Sequence, residues 1–246
     1  MSEKLVVEFD VDEEVQLEYG IVEKYLKRFG EKLPYKAIVK NGKFVSIVGS
    51  KYTVVPNETV ETIAKKIAKN HKLNIEHENW RIYCFIDTGN DGIIIMNSID
   101  GSMGLRVSYF YKVKEGAKAI TNTKELKQIY RKHTKNIEKL TNQMEAICNN
   151  ILIEGRKRIK YIMEELQNKF IKDNIDALKG VTEALPKCYT KSVWEKFAHG
   201  KIYTVKQLYE EIAAAIWNSD KAGIKTKIEH FRRLNTIFTV LGIKAR

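Results

Sequence analysis

Arg81, Tyr83 and Phe85 alternate along one predicted strand, and Arg106, Phe110 and Lys112 along another, so each strand puts cations and flat side chains on one face. Those residue types suit a single-stranded nucleic acid, whose phosphates are gripped by cations and whose bases stack on rings. The polar face of the helix predicted next adds Lys124, Lys127, Arg131, Lys132, Lys135 and Lys139, and Arg156, Lys157 and Arg158 follow. Two plainer readings fit the same residues. Tyr83, Phe85 and Phe110 suit the second apolar face of a sheet buried on both sides, and Arg156-Lys157-Arg158 suits a solvated helical turn.

Residues for catalysis are sparse. His71, His77, His133, His199 and His230 form no metal-binding or base-plus-nucleophile pattern, and Gly101 to Gly104 lacks the following lysine and helix start of a phosphate loop. Asp87, Asp91 and Asp100 fall at predicted hairpin ends, where aspartate forms turns; a divalent ion held there for nuclease chemistry is the alternative. Cys84, Cys148 and Cys188 lack the spacing of a zinc site and read as small hydrophobes. No cofactor or metal is expected.

Charge points the same way as the strand faces. The 246 residues carry 43 Lys and Arg against 31 Asp and Glu, a net +12. Residues 1–20 hold seven carboxylates and one lysine, whereas 112–160 hold thirteen cations against five glutamates and 221–246 hold seven against one. Segregation of this kind attracts polyanions, although a compositional bias toward lysine would also raise the net charge. With 43% hydrophobic residues the chain can bury a sizeable core. Its longest apolar run, Ile212 to Trp217, is far too short for a bilayer, and the N-terminus opens with charge, so a cytoplasmic protein without membrane association is expected.

Several elements must position these residues. Strands over 36–40, 43–48 and 52–55 form a meander turned at Asn41-Gly42 and Gly49-Ser50, and Pro56 ends it. Asn57 caps a helix with the stripe Val60, Ile63, Ala64, Ile67 and Ala68. Strands at 80–87, 92–98 and 104–113 follow. From 123 to 179 there is no proline and one glycine, Gly155. Leu126, Tyr130, His133, Ile137, Leu140, Met144, Ile147 and Ile151 step in heptads there, predicting one long bent helix or two meeting at Gly155. That seam packs either within the chain or between subunits. Helical stretches at 194–197, 205–217 and 221–241 close the chain. The organisation expected is an acidic segment over 1–34, a β-rich core over 35–122, a long helix or helical hairpin over 123–179 and a basic helical cap over 180–246. The fold class is α+β, with two small antiparallel β units packed on the long helix.

Val45 to Val55, then Pro56-Asn57-Glu58, and Asn97-Ser98-Ile99-Asp100-Gly101-Ser102 with Leu105-Arg106 carry a resemblance. Over roughly residues 35 to 240 the chain resembles a phage- and plasmid-like family classed as a conserved domain of unknown function. It departs from that family where Tyr109 to Val113 runs into Lys114-Glu115-Gly116. The family is in turn remotely similar to single-strand annealing recombinases, which implies a β-hairpin and a three-stranded sheet draped on a long helix, and ring or filament homo-oligomers that hold single-stranded DNA in a basic groove. The function expected is therefore non-catalytic single-strand binding in annealing or recombination. The rivals are a structural oligomer assembled through the 126–151 seam and a metal-dependent nuclease.

Overall fold

The computed structural model describes residues 9–121, 129–131 and 143–243. Its first sheet is a meander of β1 (Asp10–Gln16), β2 (Ile21–Arg28), β3 (Glu31–Lys40) and β4 (Lys43–Gly49), antiparallel throughout and in that order. Asn41 and Gly42, with φ of 50° and 74°, make the tight turn between β3 and β4. One face buries Ile21, Ile38 and Val48 against Val54 and Ile99. Lys36 also points into this face, 2% exposed, and is tolerated because Glu23 meets it at 2.6 Å.

Three expectations change here. The acidic N-terminal stretch supplies the edge strand β1, and residues 52–55 are not a strand. The chain leaves the sheet at Gly49 and crosses to the second unit, with Val54 and Val55 buried and the Tyr52 hydroxyl bonded to the Ser98 carbonyl at 3.1 Å. Asn57 does not cap α1 (Asn57–Ala68). It is the first helical residue, and its side chain ties the helix start to the second sheet by donating to the Trp80 carbonyl and accepting from Asn97.

The second sheet runs β5 (Lys72–Glu78), β6 (Arg81–Asp87), β7 (Asp91–Ser98) and β8 (Leu105–Lys112), all antiparallel. Two short strands, β9 (Lys118–Thr121) and β10 (Ile129–Arg131), pair with different stretches of β8. β5 escaped the sequence reading because its Leu73 and Ile75 are diluted by polar residues, the pattern of an edge strand.

The helices are α2 (Met144–Gln167), α3 (Ile175–Glu183), α4 (Lys187–Ala198), α5 (Val205–Trp217), α6 (Ile224–Leu234) and α7 (Thr236–Val240). α1 lies against β5, β6 and β7, α2 against β7 and β8, and α5 and α6 against β9. Asn235 joins the last layer: it accepts from the Tyr209 hydroxyl at 2.7 Å and donates to the Ile120 carbonyl at 2.9 Å.

The heptad seam does not form one helix. Tyr130 sits in β10, while Leu126, His133, Ile137 and Leu140 lie outside the described residues. Met144 and Ile151 are buried in this chain's own core and Ile147 packs against it. The break expected at Gly155 falls instead at 168–174. Gly155 is a contact glycine within α2: a Cβ there would stand 2.5 Å from the Tyr109 ring, so the missing side chain is what lets α2 lie flat on β8. No helix among the described residues is long and apolar enough to cross a membrane.

Candidate nucleic-acid interface

The register puts the six strand residues on a single face of the second sheet. Phe85 pairs with Ile94 and Ile94 with Ser108, so Arg81, Tyr83 and Phe85 share their side with Arg106, Phe110 and Lys112. Tyr83, Phe85 and Phe110 are nevertheless 0–1% exposed, which corrects their assignment as a stacking platform. The sheet is covered on both faces, and the second apolar face is where these rings went. Phe85 meets Phe110 at 6.0 Å and Trp217 of α5 at 5.6 Å, both edge to face.

At the edge of that aromatic group lies a cation. The Lys118 ammonium stands 4.7 Å from the centroid of Trp217, 5.3 Å from Phe85 and 5.7 Å from Phe110, and it makes no ion pair among the described residues. Burial lowers its pKa, with Asp87 opposing and Lys112 adding to the decrease. Lys227 also approaches the Trp217 ring, at 5.5 Å from its centroid, and donates to the Trp217 carbonyl at 2.7 Å. Lys112 is held by Asp87 at 3.0 Å.

The remaining predicted contacts divide into paired, exposed and undescribed. Arg81 is half-buried, 3.5 Å from Asp100 and 3.1 Å from the Ser102 hydroxyl; Arg106 is half-buried on the same face. Arg156 is not a free solvated cation, because it grips Asp91 through two nitrogens at 2.6 and 2.9 Å. Arg158 faces Glu154 at 3.9 Å and Lys157 is exposed. Lys124, Lys127, Lys132, Lys135 and Lys139 lie outside the described residues, and Arg131 is placed by its backbone in β10.

The three hairpin aspartates each face a different cation: Asp87 with Lys112, Asp91 with Arg156, Asp100 with Arg81. For all three, burial pushes the carboxyl pKa up and donors outweigh it, leaving it below the usual range. Those donors are Gly89 and Lys112 for Asp87, Arg156, Thr88 and Tyr109 for Asp91, and Ser102, Ser98 and Arg81 for Asp100. Among the described residues no three His, Cys, Asp or Glu side chains come together as metal ligands. The Cys84 and Cys148 thiols are buried and pushed up to about 12, which leaves them protonated at neutral pH.

Exposed aromatic surface lies instead on the first sheet. Lys36, Ile38, Ser46 and Val48 turn inward, so Tyr35, Ala37, Val39, Phe44 and Ile47 line the opposite face. Tyr35 is 50% exposed, Ile47 48% and Phe44 63%. Half-buried Val22 and Lys24 of β2 continue this face, with Lys24 paired to Glu14 at 2.6 Å. From Lys32 to Asn57 inclusive there are five lysines and no carboxylate, and Lys43 and Lys51 make no ion pair among the described residues. Sequence reasoning missed this surface because Lys36, a charge on the buried side, hides the alternation that would have shown β3 to have an open apolar face.

The chain matches no protein-family model, no curated protein and no solved structure with which it was compared.

Proposed function

We propose that this chain is a non-catalytic nucleic-acid-binding protein that holds single strands on the open face of the first sheet, acting in the cytoplasm in strand annealing or recombination. The observation that carries the reading is the row of exposed Tyr35, Ile47 and Phe44 on an antiparallel sheet, in a stretch whose only charges are lysines. Flat side chains accept any base, and lysines follow the phosphates without reading sequence. In this reading the second sheet, with α2 beneath it and the C-terminal helices as its cap, is the scaffold.

Fluorescence anisotropy with labelled thymidine oligonucleotides tests it. Stacking is worth about 1–3 kcal/mol per base, so Phe44→Ala and Tyr35→Ala each weaken binding by about 5- to 150-fold. Because both side chains are at least half exposed, melting temperatures stay nearly unchanged. Neutralising about five phosphates gives a log–log salt slope of roughly −3.5 for a single strand. Binding that is indifferent to both substitutions, or absent at low salt, overturns the reading.

A further inference from the structure

We infer that the first sheet is built to continue from one copy of this chain into the next, with β4 of one copy pairing antiparallel to β1 of another. Neither strand has a partner on its outer edge among the described residues. An unpaired edge is a template for another strand unless it is blunted, and these two edges are treated differently. β1 carries Asp10, Asp12, Glu13 and Glu14, all exposed, and a register shift between Val11 and Glu13. β4 reads Lys-Phe-Val-Ser-Ile-Val-Gly, with one charge at its start and exposed Phe44 and Ile47.

Direction allows the match. Four antiparallel strands make β1 and β4 run in opposite senses, so a second copy set beside the first in the same orientation offers β1 to β4 as one more antiparallel step.

Charge selects this pairing over the others. Lys24 takes Glu14 at 2.6 Å and Lys32 takes Asp12 at 2.8 Å, which leaves Asp10 and Glu13 without ion pairs among the described residues. Lys43, at the start of β4, and Lys51, two residues past its end, are also without them. A β4–β4 contact that keeps Ile47 beside its own copy sets Lys43 opposite Lys51. A β1–β1 contact sets carboxylates against carboxylates, and like charges directly opposite are destabilising. Only β1 against β4 brings opposite charges together. The contact uses different surfaces on its two sides, so it generates rings or open filaments instead of closed pairs. Each added copy also extends the same open face, although the contact itself requires no nucleic acid.

Light scattering of the protein alone, over a hundredfold dilution, is the test. Wild type is expected at multiples of 28.5 kDa at the higher concentrations, while Lys43→Glu/Lys51→Glu and Asp10→Lys/Glu13→Lys each stay at 28.5 kDa. The substituted side chains are exposed, so circular dichroism of both variants should match wild type. The first variant has two acidic edges and the second two basic ones, so an equimolar mixture regains the large species. A wild type that stays at 28.5 kDa, variants that assemble as wild type does, or a mixture that fails to recover overturns the inference. Because no oligonucleotide is present, none of these results depends on strand binding.

Discussion

Arg156→Ala separates a structural cation from a binding one. Arg156 reaches from α2 to Asp91 at the start of β7, and Asp91 also accepts hydrogen bonds from the Tyr109 hydroxyl at 2.9 Å and from Thr88. The Asp91 side chain is 8% exposed and that of Arg156 is 50% exposed. Breaking a fully buried pair costs about 3–5 kcal/mol, and an exposed pair contributes about 0.2–1 kcal/mol. This pair lies between those limits: the carboxylate is desolvated, the guanidinium half solvated, and two neutral donors remain to the carboxylate after truncation. The expected loss is therefore about 2 kcal/mol, or about 4–8 °C in melting temperature for a chain of this size. Urea titration measures it, and in a cycle with Asp91→Asn the double variant should lose much less than the sum of the singles. Affinity for an oligonucleotide should stay within about twofold, since this guanidinium is already committed. A stability change under about 0.5 kcal/mol together with a clear loss of affinity would falsify the argument and return Arg156 to the interface.

Other outcomes follow from the same geometry. Gly155→Ala gains about 1 kcal/mol of helix propensity but drives a methyl into the Tyr109 ring, which Asp91 holds in place. Overpacking costs about 1–3 kcal/mol, so urea titration should show net destabilisation. Lys36→Met leaves Glu23 buried without its cation and should cost about 3–5 kcal/mol, whereas Lys36→Met with Glu23→Leu should recover most of that loss in thermal melts. Asp87, Asp91 and Asp100 have folded pKa values below their unfolded ones, so the stability they contribute is present above about pH 4 and lost as pH falls through the folded values. Melting temperature should drop as pH falls below about 5, and Arg156→Ala, which brings the folded Asp91 value back toward the unfolded one, should make that drop shallower.

Much of the second sheet was legible because its strands are strongly patterned. Trp80 to Asp87 alternates, Ile93 to Met96 is continuously apolar, and glycine- and aspartate-rich turns separate the strands. The first sheet was legible at the Asn41-Gly42 hairpin, where the strands expected over 36–40 and 43–48 fall within β3 and β4, and not before it. β1 and β2 are dominated by charge, and Lys36 and Glu23 face inward as a pair, which no single-residue periodicity can announce. The heptad seam misled because tyrosine and isoleucine serve a strand as well as a helix, and β8 offered Ile129 to Arg131 an edge to pair with. At the candidate site the residue types were right and the faces were not. Tyr83, Phe85 and Phe110 are buried in packing, and Phe85 is covered by the Trp217 side chain more than a hundred residues downstream. Two of the exposed rings, Tyr35 and Phe44, lie in strands whose outer face has no cover among the described residues, and coverage is a tertiary fact.

β7 has β6 on one side, β8 on the other and all eight of its residues buried. Its amides therefore exchange with solvent only when the second sheet opens as a whole, and their protection measures the global free energy of unfolding. Among the described residues, the first sheet rests on a separate cluster of five buried apolar residues. Amides of β2 and β3 should exchange through smaller openings that leave β7 closed. Hydrogen exchange thus gives each sheet its own stability scale: protection gained in β2 and β3 with β7 unchanged reports an event confined to the first sheet, without any label or substitution at the surface under study.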